Sequence, residues 1–239
     1  MNEERLYDLI REKENIASAA MPALMRKVYV WMTLALVITG FTAYGVASSP
    51  GLISAILMNK MLFYGLIIAE LALVWIVAGR INKMSLTTAT LLFILYSVLN
   101  GATLSVIFLA YTMSSITSVF FITAGTFAAM AAIGYFTKTD LTSLGKILMM
   151  ALIGLIIATI VNVFFVHSGG FGLIISYVGV LIFVGLTAYD SQKIKVMLAE
   201  ADDVTEEAQK IALLGSLTLY LDFINLFLYL LRIFGSSRD

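Results

Sequence analysis

The chain reads as long apolar runs separated by short polar joints. Apolar positions dominate over Val28–Ala47, Met61–Gly79, Leu86–Leu109, Ile116–Phe136, Leu144–Val166, Phe171 to about Tyr189, and Ile211–Phe234. Each run is close to the roughly 20 residues that a helix needs to cross a hydrocarbon core. None alternates with period two, so a transmembrane barrel is not expected. Backbone amides find no partner in lipid, so each run must satisfy its own hydrogen bonds as a helix. The pattern predicts an all-α membrane protein, a seven-transmembrane-helix bundle over residues 28–235. A tail over 1–27 precedes it and a short tail over 236–239 follows.

The joints refine this outline. Ser48-Ser49-Pro50-Gly51 closes the first run, and Leu52–Met58 is too short to cross and is expected at the interface. His167-Ser168-Gly169-Gly170 predicts a turn. Asp190–Lys210 reads as a polar, acidic connector. The charged stretch from Asn2 to Lys27 is too long for the lead of a signal peptide, so the first run is read as a retained span although Ala47-Ser48-Ser49 mimics a cleavage site.

Composition agrees. Hydrophobic residues make up 61% of the chain and charged ones 13%, against roughly half and a quarter in soluble domains. A soluble fold of this size has no place to hide that much apolar surface. There is no Cys and one His, which excludes disulfides, thiolate chemistry and a multi-histidine metal site within one chain. The net charge is +0, which by itself points to no charged partner. No cofactor and no nucleic-acid partner are expected; the expected partners are the lipid bilayer and other membrane proteins.

Lys and Arg gather in alternate joints. Arg5, Arg11, Lys13, Arg26 and Lys27 precede the first run, Arg80 and Lys83 follow the second, Lys138 and Lys146 the fourth, and Lys193, Lys195 and Lys210 the sixth. The other side holds Lys60, Arg232 and Arg238. The positive-inside rule then places the N-terminus in the cytoplasm and the C-terminus outside the inner (plasma) membrane. Small residues at i and i+4, such as Gly125 and Ala129, predict close helix packing within one bundle.

Three acids stand inside this apolar frame. Glu70 and Asp222 fall near the middles of their runs, and Asp190 falls at the cytoplasmic end of the sixth. Buried ionisable groups are costly in lipid and mark function or interhelical pairing. Asp190 and Asp222 lie on consecutive runs of opposite direction. Two carboxyls meeting away from water share one proton and titrate as a pair, which makes a proton-dependent latch. Arg80, at the same membrane level, is the expected counter-ion. Glu70 and Asn225 are the expected pore- or ion-facing groups, and Asp190 and Asp222 are candidate weak Ca²⁺ contacts. Asn100 and Asn162 add polar groups whose plain reading is interhelical bonding.

Two stretches carry a family resemblance. They are Thr187-Ala-Tyr-Asp-Ser-Gln-Lys-Ile-Lys195 and the segment from Gly215 to Gly235, with its Tyr-Leu-Asp-Phe-Ile-Asn-Leu-Phe core ending in Leu-Leu-Arg-x-Phe-Gly. Together they resemble the signature of the Bax inhibitor-1 family, also called the transmembrane Bax inhibitor motif family, and the tail resembles that of bacterial members. The resemblance implies a seven-helix fold with the last helix central. It also implies a pH-sensitive calcium leak whose aspartate sensor is Asp190 and Asp222. Arg80 would pair with them in the closed form, and Glu70 would be the acid of the second span. Eukaryotic members suppress cell death, and bacterial ones have been linked to a membrane-bound protease.

Three other functions compete. Paired aspartates suit an intramembrane aspartyl protease, but Tyr220-Leu221-Asp222 replaces that class's Gly-x-Gly-Asp, and Pro22-Ala23-Leu24 stands in the tail instead of a late helix. A non-conducting membrane regulator would use the acids only structurally, with Glu200–Glu207 as a docking loop. A secondary transporter would show inverted repeats, and none is evident.

Overall fold

A computed structural model describes the backbone of residues 3–201 and 203–238, and side chains from residue 19 onward. The helices are α1 (Glu3–Ala47), α2 (Pro50–Met58), α3 (Lys60–Arg80), α4 (Leu86–Leu104), α5 (Ile107–Ala110), α6 (Met113–Phe136), α7 (Thr142–Val161), α8 (Gly169–Ala199) and α9 (Glu206–Phe234). Seven segments are long and apolar enough to span a membrane, as the hydrophobic pattern predicts. Among the described residues there is no strand, only an isolated bridge between Tyr111 and Ser237.

Helix starts follow from side chains that take up free backbone amides. Asn59 accepts from the Leu62 amide, Ser85 from Thr88, Thr112 from Ser115, Ser168 from Phe171 and Thr205 from Ala208. Glu206 and Glu207 occupy the first turn of α9, where acids suit the helix dipole. The piece read as interfacial forms α2, a separate helix with Pro50 at its start. The third run breaks after Leu104 before resuming as α5. The fifth ends in a π-helical turn over Asn162–Val166, and His167 then adopts a left-handed conformation with φ 53°.

The last helix is the central one. In its most apolar stretch 61% of residues are buried, against 6% for α3 and α7. Helices α1, α4, α6 and α8 pack against α9, while α3 lies against α4 and α7 against α8 at the edges. The inward residues of α9 include Leu219, Phe223, Leu226 and Leu230. Two sets of contacts gather the joints on opposite ends of the bundle. At the basic end Lys27 Nζ donates to Gln209 at 2.7 Å, Lys195 Nζ to the Tyr135 carbonyl at 2.7 Å, and the Leu86 amide to Glu206 at 2.9 Å. At the other end the Arg238 amide donates to the Ala110 carbonyl at 3.0 Å.

Two expectations need correction. The sixth span does not stop near Tyr189: α8 runs on to Ala199. Its added turns bury Ser191, Ile194 and Leu198 and turn Lys193 and Val196 outward, so contact with neighbouring helices holds a polar stretch helical. Gly125 and Ala129 do not mediate close packing; both are exposed, and a Cβ on Gly125 would meet nothing within 4 Å. The tight approach on α6 is at Gly134, where a Cβ would collide with the backbone carbonyl of Ala188 on α8. Gly101 on α4 has the same role, its Cβ position lying 2.6 Å from the Thr39 carbonyl of α1.

With no water to drive helices together in lipid, such close packing is a main source of association. Gly134→Ala is therefore expected to lower stability by about 1–3 kcal/mol, the usual range for overpacking. Gly125→Ala should leave it unchanged. Thermal unfolding of both variants in detergent checks this.

Candidate functional site: two polar clusters on the central helix

Helix α9 carries Tyr220 and Asp222 two positions apart. At 3.6 residues per turn these side chains point to faces about 200° apart. Each face holds a buried polar cluster.

On the α8 face, Asp190 and Asp222 lie within hydrogen-bonding reach of each other. They are 6% and 5% exposed. The sequence puts the two acids on neighbouring helices of opposite direction and leaves open whether they touch; the packing of α8 on α9 brings them together. Lys193, one turn further along α8, is the cation whose charge reaches Asp190. Among the described residues, Asp222 Oδ2 is the buried side-chain polar atom without a hydrogen-bond partner. The neighbouring Ser191 ties α8 to two more helices. Its hydroxyl donates to the Ala131 carbonyl of α6 at 2.9 Å, which leaves its oxygen to accept from Tyr29 of α1 at 3.0 Å.

On the opposite face, a chain of bonds ends on Glu70. Glu70 Oε2 accepts from Asn100 Nδ2 at 3.1 Å, and Oε1 accepts from the Thr103 hydroxyl. Asn100 Oδ1 accepts from the Tyr220 hydroxyl at 2.9 Å. The Thr39 hydroxyl lies 2.7 Å from the Tyr220 oxygen and 3.0 Å from the Ser97 carbonyl. Phe93 and Tyr96 close over the Tyr220 ring edge-on, with centroids at 5.8 and 5.7 Å. Four helices, α1, α3, α4 and α9, are joined by this one network.

The remaining expected residues go elsewhere. Arg80 is not the counter-ion of the aspartates: it is exposed, and among the described residues the sole ion pair is Lys210–Glu206. The reason is the position of α3 at the edge of the bundle, where Val77 and Ile81 take the inward positions beside it. Glu70 belongs to the second cluster, enclosed between helices instead of facing an open passage. Asn225 bonds the Leu221 carbonyl of its own helix at 2.8 Å and lines a cavity of about 310 Å³ with Tyr111, Tyr229 and Arg232. Asn162 accepts from the Ser168 amide at 3.1 Å and helps close the turn before α8.

No group of three or more acids and histidines that would hold a metal occurs among the described residues. Ca²⁺ takes six to eight oxygen ligands, so the Asp190–Asp222 pair does not fit a resident calcium site. Tyr29, Thr39, Thr103, Ser191 and Tyr220 take part in these clusters without having been singled out from the sequence. Hydroxyls in apolar runs are common and carry no charge to mark them. Only Ser191 and Tyr220, each inside one of the two motif stretches, had a signal.

The family profile described as "Inhibitor of apoptosis-promoting Bax1" matches residues 21–239. The chain belongs to the Bax inhibitor-1 family. It is 49% identical over 221 residues to an Escherichia coli (strain K12) relative called "Inner membrane protein YbhL", covering 92% of this chain and 94% of that one. It is 46% identical over 234 residues to an uncharacterized protein of Borreliella burgdorferi, covering 98% and 100%. A Deinococcus radiodurans protein, also uncharacterized, is 39% identical over 215 residues, covering 90% of each chain. Family membership and the seven long apolar helices make this a multi-pass membrane protein.

The Glu70 network yields a direct expectation. Tyr220→Phe keeps the ring and removes the donor to Asn100, so stability should fall by about 0.5–2 kcal/mol, the range for interhelical hydrogen bonds in membrane bundles. Unfolding in mixed micelles measures it, with Tyr64→Phe, on the exposed surface of α3, as the neutral control.

Proposed function

We propose that this protein is a pH-regulated cation leak, with Ca²⁺ as the transported ion and the Asp190–Asp222 pair as its proton-sensing latch. The observation that carries the reading is the contact of two carboxyls, each nearly closed off from solvent, across the interface of α8 and α9. With one proton between them, the pair forms a hydrogen bond that holds the two helices together. With none, two like charges face each other at low dielectric and push the helices apart. Because α8 and α9 pack along one another over much of their length, a change at the pair moves a large part of the bundle.

In this reading Glu70 is an enclosed acid on the far side of the same helix. Its bonds to α4, and through Asn100 to Tyr220, make it a second point at which a cation or a proton would alter α9 packing. Arg80 has no part in the latched arrangement. The basic end of the bundle faces the cytoplasm, following the positive-inside rule, with the C-terminus outside.

A shared-proton pair is also what an aspartyl protease uses. Here both carboxyls are enclosed and the motifs of that class are missing, so we read the chain as non-enzymatic.

Purified protein in liposomes with an enclosed Ca²⁺ dye tests the proposal. Wild-type flux should change with pH by about fivefold or more, the lower end of typical coupling between sites. Asp190→Asn and Asp222→Asn, which mimic the protonated carboxyl, should flatten the profile while flux persists. A profile in either variant that tracks the wild type would sink the latch, and absence of flux from folded wild-type protein would sink the leak itself.

A further inference from the structure

A groove of about 600 Å³ runs between α1 and α6. These two helices flank it, and Phe223 of α9 lies at its floor. Met25, Met32, Phe127 and Ala131 are buried along its inner wall, while Thr33, Ala128 and Ala132 leave its mouth open to the side. The lining is almost wholly apolar except at one end. There Arg26 is exposed and makes no ion pair among the described residues. Its neighbour Lys27 is engaged with Gln209.

The dimensions suit a lipid chain. The lining runs on α1 from Pro22 to Leu36 and on α6 from Phe120 to Phe136, a rise of about 24 Å along α6 against a hydrocarbon core roughly 30 Å thick. Arg26 lies one turn from the Pro22 end, so the charge stands near headgroup level while the apolar channel runs deep into the core. Small residues on α6 give a smooth wall for a chain of methylenes. The guanidinium fork of arginine is suited to phosphate oxygens.

We propose that this groove binds an anionic phospholipid of the leaflet at the basic end, one acyl chain lying along Ala128 and Ala132 and the phosphate held by Arg26. The site is separate from the latch, but its walls reach residues beside it. Phe223 follows Asp222 in sequence, and Tyr29 bonds Ser191, the residue after Asp190. Lipid occupancy thus bears on the packing of both aspartate-carrying helices.

Native mass spectrometry of the full chain, titrated with phosphatidylglycerol or phosphatidylethanolamine, tests the site without measuring flux. The wild type should bind its first phosphatidylglycerol about fivefold more tightly than phosphatidylethanolamine, as one basic residue at the surface provides. Arg26→Gln should equalise the two lipids, and Arg26→Lys should retain part of the preference. Ala128→Trp, which fills the channel, should abolish the tight first lipid, whereas Ala129→Trp on the outward surface should not. Ala132→Leu gives a milder block, should Ala128→Trp fail to fold. Equal affinities for the two headgroups in the wild type would overturn the proposal. So would an unchanged first lipid in folded channel-filling variants, or a groove covered by a second copy of the chain.

Discussion

Asp222 projects from the most enclosed helix of the bundle and reaches one ionisable partner, Asp190. Neither carboxyl has bulk water nearby, and lipid offers no substitute. Their contact is therefore constrained by electrostatics as well as shape, because two charges cannot be held there as cheaply as one. The elements around it reinforce the arrangement. Ser191 binds α6 and α1 beside Asp190, and Gly134 brings α6 against α8 at Ala188, two residues before it. The aspartate pair thus sits where α1 and α6 are already drawn close to α8.

The other face of α9 is built differently. Around Glu70 the donors all point one way, from Tyr220 to Asn100 and from Asn100 and Thr103 to the carboxylate. A central helix held by a directional hydrogen-bond network on one side and by an acid pair on the other has one firm face and one responsive face. A change in protonation would then express itself mainly at the α8–α9 interface, while α1, α3 and α4 stay tied through Tyr220 and Thr39. The lipid groove between α1 and α6 lies between these two regions, with its floor on the same helix.

Much of this was legible in the amino-acid pattern because the membrane simplifies the code. Runs of about twenty apolar residues must be helices, so the span count followed without tertiary information. Asp190, Asp222 and Glu70 were conspicuous for the same reason: an acid in lipid is expensive and needs a partner. Less visible were the partners that carry no charge. Thr39 and Thr103 look like ordinary helix residues, since a hydroxyl in an apolar run normally bonds its own backbone turn.

The sequence by itself determined the all-helical class, the seven spans and which acids are buried, because burial in lipid acts on each segment independently of its neighbours. It also carried the family, through the motifs around Asp190 and Asp222. The tertiary structure alone decided how far α8 extends, that Gly134 and not Gly125 makes the close approach, and that Arg80 faces away from the aspartates. Those outcomes depend on the rotation and depth of one helix against another. Side-chain packing sets these to within one residue, and the hydrophobic pattern of a span that is apolar nearly all round does not encode them.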